Sequence, residues 1–292
     1  KKEKKLKPLL NLSVYENKLL VTDSLSKIYL IDLNTGKLLW KSEHKISFIS
    51  DIKIEDKRFY VLDANNTFIC FSLLDGKKMW KFEGKNKLIN SQKKKSLILN
   101  KNNVIFNNTN GELIALNKIN GNLIWITPTV SYTESIKSYL LNSSDLVLDG
   151  NEIYFSNNKN NFFSIDANNG LINWTQNINS YLRPIVVGDL ILTISSKGYF
   201  YILNKISGDI IRTTDVLKNF KLKKRNKITI NGFVANKQNI YATTNQGQII
   251  VIDISKGYKK FIYKASRSKI SKPYVNSKKL FVIKDNEIIR IN

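Results

Sequence analysis

Cysteine, histidine and methionine are almost absent from this chain, which has one residue of each among 292. The single cysteine, Cys70, allows no disulfide within the chain, and we interpret it as a small core residue in the alternating run FICFS. The only histidine, His44, has neither a second histidine nor a cysteine cluster with which to build a zinc site. A Ser-His-Asp triad would also need an imidazole base, and His44 is the only imidazole in the chain. We therefore expect no metal centre, no cofactor and no hydrolase chemistry.

Long hydrophobic runs are also missing, since no apolar stretch reaches the roughly 18 residues that a membrane-spanning helix needs. No signal peptide or lipidation motif is visible, but the chain opens at Lys1 rather than at methionine, so this absence carries no information. A hydrophobic content of 42% and a charged content of 24% are typical of a folded protein. We predict a single domain over residues 1–292.

Acidic residues are few, with 23 against 47 lysines and arginines, which gives a net charge of +24. Such a balance can indicate binding to nucleic acid or anionic lipid. The lysines are scattered among abundant Asn and Ile, however, and all three are specified by A/T-rich codons, so a biased genome is the competing interpretation. Charge is concentrated only at residues 1–7 (KKEKKLK) and 218–227 (KNFKLKKRNK), which we interpret as a solvated tail and a solvated loop.

What the chain has in abundance is one repeated frame. In Ile28–Trp40 (IYLIDLNTGKLLW) an alternating apolar run leads to a polar turn with Gly36, and a second apolar run ends in tryptophan. The frame recurs at Phe68–Trp80, Leu113–Trp125 and Phe162–Trp174 and, with another last residue, at Phe200–Arg212 and Ile249–Phe261. All four tryptophans of the chain lie four residues after the glycine of a frame.

The spacing of these glycines predicts the fold. Successive frame glycines are 40, 45, 49, 38 and 49 residues apart, a period typical of β-propeller blades. Helical repeats would place apolar residues three and four apart, which these segments do not. We predict an all-β fold, a β-propeller of four-stranded antiparallel blades. Seven blades are visible in the sequence, which leaves open an eighth blade upstream of Lys1.

The seventh copy, Lys279–Ile291, stops after its third strand. In closed propellers the other terminus supplies the missing outermost strand, which removes the exposed edge.

Each position of the frame has a predicted structural role. The glycine permits a positive φ in the turn, and a short polar residue four positions before it can bind turn amides. The large side chain four positions after it covers the seam to the next blade. The predicted docking residues are Gly36, Trp40, Gly76, Trp80, Gly121, Trp125, Gly170, Trp174, Gly208, Gly257 and Phe261. Because Arg212 and Phe261 replace tryptophan, we expect weaker seams there.

Two long links interrupt the rhythm of the repeats, residues 127–145 and residues 213–232, and the second carries the basic cluster. Links of this length are often functional loops, and many others are tolerated surface insertions. The sequence leaves both readings open.

Several frames, of which LIDLNTGKLLW at residues 30–40 is the best match, resemble the tryptophan-docking repeats of the pyrroloquinoline-quinone (PQQ) propeller superfamily. Within it the chain is similar to the family of the outer-membrane protein assembly factor BamB. This resemblance implies a non-catalytic lipoprotein scaffold at the periplasmic face of the outer membrane, a monomeric subunit with its lipid anchor outside this chain. Its implied partners are the barrel-assembly protein BamA and unfolded outer-membrane protein clients.

The resemblance also suggests a partner-binding pair. Family members use a Leu-Arg pair in one inter-blade loop, and the nearest match is Leu182-Arg183 in SYLRP, although the flanking residues differ. The alternative is that Leu182 packs in the core and Arg183 is solvated.

Two other functions are alternatives to the scaffold. A PQQ-dependent dehydrogenase of this superfamily would carry a vicinal cysteine pair and a calcium site, and a single cysteine rules out that pair in this chain. A polyanion-binding propeller, for nucleic acid or an anionic envelope polymer, would use residues 218–227. That segment interleaves its basic residues with only one aromatic, Phe220, so we expect no nucleic acid partner.

Overall fold

A computed structural model of the chain describes residues 8–85, 93–131 and 141–291. In these ranges the chain forms consecutive antiparallel sheets, six of four strands and one of three, and each strand pairs with its neighbour in the sequence. The chain divides into two compact units, one within residues 1–142 together with the hairpin 166–171, and the other within residues 143–165 and 172–292.

The first unit holds three sheets. The first sheet contains β1 (Leu10–Tyr15), β2 (Lys18–Asp23), β3 (Lys27–Asp32) and β4 (Leu38–Glu43). The second contains β5 (Lys53–Glu55), β6 (Arg58–Leu62), β7 (Thr67–Ser72) and β8 (Lys78–Glu83). The third contains β9 (Leu97–Asn100), β10 (Asn103–Asn107), β11 (Glu112–Asn117) and β12 (Leu123–Pro128).

The second unit holds the remaining four sheets. The fourth sheet contains β13 (Val147–Asp149), β14 (Glu152–Ser156), β15 (Phe162–Asp166) and β16 (Ile172–Gln176). The fifth contains β17 (Ile185–Val187), β18 (Leu190–Ile194), β19 (Tyr199–Asn204) and β20 (Ile210–Asp215). The sixth contains β21 (Ile230–Ala235), β22 (Asn239–Thr244), β23 (Gln248–Asp253) and β24 (Lys259–Lys264), and the seventh contains β25 (Tyr274–Asn276), β26 (Lys279–Lys284) and β27 (Glu287–Ile291).

The second and third strands of the second sheet are apolar on both faces because the first sheet lies on one side and the third sheet on the other. In β6, Phe59 and Val61 pack into a cluster with Leu20 and Ile28 of the first sheet. The alternate residues of the same strand pack toward the third sheet. Outermost strands such as β4 instead alternate between exposed and half-buried residues. The all-β prediction of four-stranded antiparallel units is therefore confirmed.

The innermost strand of the second sheet is short. It spans Lys53–Glu55 and is preceded by isolated bridges at Phe48 and Ser50. The Ser50 hydroxyl accepts a hydrogen bond from the Leu62 N–H at 2.8 Å. This side-chain acceptor takes a position that a strand carbonyl would otherwise occupy, so the regular ladder begins later.

The two long links differ in what the structure describes. Residues 132–140 of the first lie outside the described residues. The second continues from β20 through a four-residue helix, α1 (Leu222–Arg225), to β21. In the described ranges no helix is long and apolar enough to cross a membrane.

The seventh sheet has three strands, as its sequence predicts. The closing strand expected from the other terminus stays a prediction, because residues 1–7 lie outside the described ranges.

Candidate functional site

The acidic and amide side chains of the frame cap the turns between the third and fourth strands. Asp32 Oδ1 accepts hydrogen bonds from the N–H groups of Asn34 at 3.0 Å and Thr35 at 2.8 Å. Asp166, Asn117 and Asn204 accept equivalent pairs of turn N–H groups. The backbone and side-chain hydrogen bonds from Thr35 hold the pKa of Asp32 below its usual value. These frame side chains therefore serve the hairpins.

Replacing this carboxylate by an amide tests its role. We expect Asp32→Asn to unfold at a slightly lower temperature than the parent at neutral pH, because Asn117 and Asn204 show that an amide oxygen can cap the same turn. A lowered pKa contributes stability above the unfolded-state value of 3.8 and loses it as the pH falls through the folded-state value. The difference in melting temperature should therefore vanish in acid. A difference independent of pH would contradict the electrostatic argument.

The large side chain of each frame docks on the next hairpin along the chain. The Nε1–H of Trp40 donates to the carbonyl of Leu73 at 3.0 Å, and its ring lies against Gly76. Trp174 repeats this arrangement with Lys205 at 3.2 Å and Gly208. In the first unit, Trp125 donates to Ala167 at 3.3 Å, and its ring lies against Gly170. The accepting carbonyl always lies three residues before the turn glycine.

Trp80 is the exception among the four tryptophans. Its ring lies against Gly121, but in the described part of the chain its buried Nε1–H has no acceptor. The carbonyl in the equivalent position belongs to Lys118, and it accepts a hydrogen bond from the Tyr60 hydroxyl at 3.1 Å instead. At this seam a phenol donor from β6 of the same sheet therefore replaces the indole donor.

Arg212 docks in the fifth frame with a different chemistry. Its side chain lies against Gly257, and Nη1 donates to the carbonyl oxygens of Ile254, at 3.2 Å, and Ser255. The Ile254 carbonyl lies three residues before Gly257, the position that an indole N–H reaches elsewhere, and the aliphatic stem of Arg212 covers the glycine.

We expect Arg212→Ala to lower the free energy of unfolding by about 1–3 kcal/mol, because it removes charge-assisted hydrogen bonds and the packing of the stem. Urea denaturation measures the change, and Ile211→Ala on the same strand is the control, since Ile211 is 55% exposed. Equal losses in the two variants would show that Arg212 does not dock.

Phe261, the predicted docking residue of the sixth frame, has no hairpin to cover it in the described residues and is 56% exposed. It lines a groove of about 940 Å³ between the sixth and seventh sheets. The groove is also lined by Tyr241, Tyr263 and Leu280, and by Arg290 of β27, the edge strand of the seventh sheet. The expectation of a weaker seam at Phe261 stays a prediction.

The predicted partner-binding pair lies in the link between β16 and β17. Leu182 is buried in the core cluster of the fifth and sixth sheets, and its N–H donates to the Ser180 hydroxyl at 3.2 Å. Arg183 is exposed. Only Arg183 is therefore available to a partner at this point, and the role of the pair stays a prediction.

The single cysteine and the single histidine occupy structural positions. Cys70 is fully buried in β7, and burial raises the pKa of its thiol to about 12, so the thiol stays protonated at neutral pH. His44 Nε2 lies 3.2 Å from Asp63 Oδ2, and its ring stacks on Phe48. The described ranges contain no group of three His, Cys, Asp or Glu side chains arranged to hold a metal ion.

Three sheets share a serine motif that the sequence pattern did not predict. The hydroxyls of Ser50, Ser144 and Ser271 each accept a hydrogen bond from the N–H of a second-strand residue that lies 12 positions further on. Each also donates to the carbonyl of the next residue. The available signal was a serine at a constant distance before the second strand of three repeats.

Comparison with known proteins gives the family. The family model described as outer membrane protein assembly factor BamB matches residues 4–214. The crystal structure of BamB from Moraxella catarrhalis is similar over 97% of this chain and 83% of that one, with a TM-score of 0.78 and 13% identity.

Other solved structures share the fold. The Cps50 (Swd1) β-propeller domain from Myceliophteria thermophila is similar over 97% of this chain and 96% of that one, with a TM-score of 0.62 and 12% identity. For the quinohemoprotein alcohol dehydrogenase from Comamonas testosteroni the shares are 93% and 63%, with a TM-score of 0.66 and 12% identity. A search of curated protein sequences finds no match.

At such low identities the structural similarity shows the fold alone. It confirms the predicted β-propeller. The family model covers well over half of the chain and matches the frames that dock through Trp40, Trp80, Trp125 and Trp174. The chain belongs to the family of the outer membrane protein assembly factor BamB.

Proposed function

We propose that this protein is a non-catalytic scaffold of the machinery that assembles β-barrel proteins, acting at the periplasmic face of the outer membrane. The observation that carries the proposal is the family match over residues 4–214. Its partners are a BamA-type assembly protein and unfolded outer-membrane protein clients.

The use of the polar side chains supports a scaffold over an enzyme. Frame carboxylates such as Asp32 and Asp166 accept hydrogen bonds from turn amides and hold the hairpins in shape. The only cysteine is buried as a thiol, and the only histidine contacts a carboxylate that itself caps the turn at Asn65. A propeller built in this way presents rigid loops between its strands, and such loops are suited to binding proteins.

The test is direct binding to the periplasmic domains of the BamA-type protein from the same organism, measured by biolayer interferometry. We expect specific binding that Arg183→Glu weakens by about tenfold, equivalent to roughly 1.4 kcal/mol. Arg267→Glu is the matched control, because Arg267 is also an exposed loop arginine of the second unit and the charge change is the same. Absence of binding by the parent protein would overturn the scaffold role, whereas equal losses in both variants would overturn only the assignment of Arg183.

A second measurement separates the scaffold from the dehydrogenase alternative. A ligand that binds only the folded state raises the melting temperature. A scaffold does not bind PQQ, so adding PQQ with calcium should leave the melting temperature of the protein unchanged. A clear rise would favour an enzyme.

A further inference from the structure

The link between β20 and β21, residues 216–228, is a fixed surface feature, which we call the basic loop. Val216, Leu217 and Ile228 are each at most 4% exposed and anchor its two ends in the core of the second unit. Between these anchors, Arg225 Nη1 lies 2.7 Å from Asp215 Oδ2. The basic loop is therefore held against the fifth and sixth sheets, and its outward side chains have a defined location.

The outward charge of the basic loop is of one sign. Its cationic residues are Lys218, Lys221, Lys223, Lys224, Arg225 and Lys227, and it contains no acidic residue. Arg225 is paired with Asp215, whereas the five lysines are exposed and form no ion pair within the described ranges. Lys259 of β24 extends the same surface, because its Nζ lies 5.4 Å from the centre of the Phe220 ring. The surface fits an anionic partner.

The apolar residues of the basic loop indicate which kind of anion it fits. Leu222 is 74% exposed at the start of α1, directly between Lys221 and Lys223. Because α1 has no buried residue, Leu222 contributes no core packing there. A leucine flanked by lysines on a protruding turn is suited to the boundary between lipid headgroups and acyl chains, where the leucine enters the bilayer and the lysines stay with the phosphates.

The aromatic residue of the basic loop argues against a single-stranded nucleic acid. Binding of unpaired bases relies on aromatic rings that are free to stack. Phe220 is half-buried against the core, and the ammonium groups of Lys224 and Lys259 each lie 5.4 Å from its ring centre. The ring is thus already engaged by cations.

We propose that the basic loop binds the surface of an anionic lipid bilayer, with Leu222 inserted at the headgroup boundary and the surrounding lysines on lipid phosphates. This contact uses residues other than Arg183 and does not depend on a BamA-type partner. It would orient the second unit relative to the membrane.

The test is cosedimentation of the full chain with vesicles of phosphatidylethanolamine and phosphatidylglycerol, compared with vesicles of phosphatidylcholine alone. We expect binding only to the anionic vesicles. Each lysine near an anionic surface contributes about fivefold in affinity, so the triple variant K221E/K223E/K224E should bind at least about a hundredfold more weakly. The matched control K37E/K45E/K101E changes the net charge equally at exposed lysines of the first unit and should bind nearly as the parent does.

Insertion of Leu222 is tested separately. Leu222→Ser keeps every charge and should weaken vesicle binding severalfold, and the added indole of Leu222→Trp should be quenched by brominated lipids. All substituted side chains are exposed, and circular dichroism will verify that each variant is folded. Equal losses in the two triple variants, or an unquenched indole, would overturn the proposal. So would failure to bind anionic vesicles, including the case in which an oligonucleotide binds through the same lysines.

Discussion

Trp125→Ala is expected to lower the free energy of unfolding by about 3–5 kcal/mol, the range for removing a large aromatic side chain from a core. Trp125 is 8% exposed and is the least exposed of the four docking tryptophans. Its indole covers Gly170 and donates to the carbonyl of Ala167. Truncation would leave a cavity at this seam and an unpaired carbonyl, and neither can be repaired by a small shift of the hairpin.

Urea denaturation followed by far-UV circular dichroism measures this loss, since that signal does not depend on the deleted indole. Ile124→Ala is the control on the same strand, where the side chain is 43% exposed, and it should cost less than about 1 kcal/mol. Trp125→Phe keeps a ring but not the N–H donor and should fall between the two. A Trp125→Ala variant as stable as Ile124→Ala would show that the seam does not depend on the docked ring.

The repeated frame could be recognised from the sequence because its parts have separate and local causes. The turn glycine is needed for a positive φ, which reaches +76° at Gly121, and the short polar residue is needed for turn amides. The indole four residues beyond the glycine is large enough to reach the next hairpin. These requirements recur from repeat to repeat, so the spacing alone predicted the sheets.

Other features depend on contacts between residues that are distant in sequence, and the repeat pattern could not predict them. The Tyr60 hydroxyl takes the carbonyl that Trp80 would use, and nothing near Trp80 in the sequence signals this. The burial of Leu182 follows from packing against the sixth sheet, so the Leu-Arg match alone could not show which member faces solvent. The sequence located the basic loop, whereas its anchoring by Arg225 and the outward position of Leu222 required coordinates.

Both proposed functions require surface residues that are held in fixed positions. The docked seams make the sheets rigid, and rigid sheets present Arg183 and the basic loop in fixed positions. A partner protein and a membrane could then be engaged through different residues of the second unit. Loss of a seam would be expected to weaken both functions through stability, whereas the surface variants should affect one function each.

Gly121→Ala is the second change with a large expected effect. Gly121 has φ +76°, and a Cβ there would lie 2.5 Å from Cε3 and 2.8 Å from Cδ2 of Trp80. The left-handed conformation alone costs a non-glycine residue roughly 1–2 kcal/mol. Displacing the indole adds about 1–3 kcal/mol, as for other overpacked cores.

Gly36→Ala separates these two costs, because Gly36 has nearly the same φ, +69°, but nothing lies within 4 Å of an added Cβ. We therefore expect a loss of about 1–2 kcal/mol for Gly36→Ala from conformation alone. Gly121→Ala should lose about 2–5 kcal/mol, as both terms apply. In a double-mutant cycle, Trp80→Ala should abolish the steric part of the Gly121→Ala loss, since the removed indole leaves space for the methyl group. Equal losses at Gly36 and Gly121 would mean that the turn glycines serve only the backbone, and that close contact with the indole is not what requires glycine in the frame.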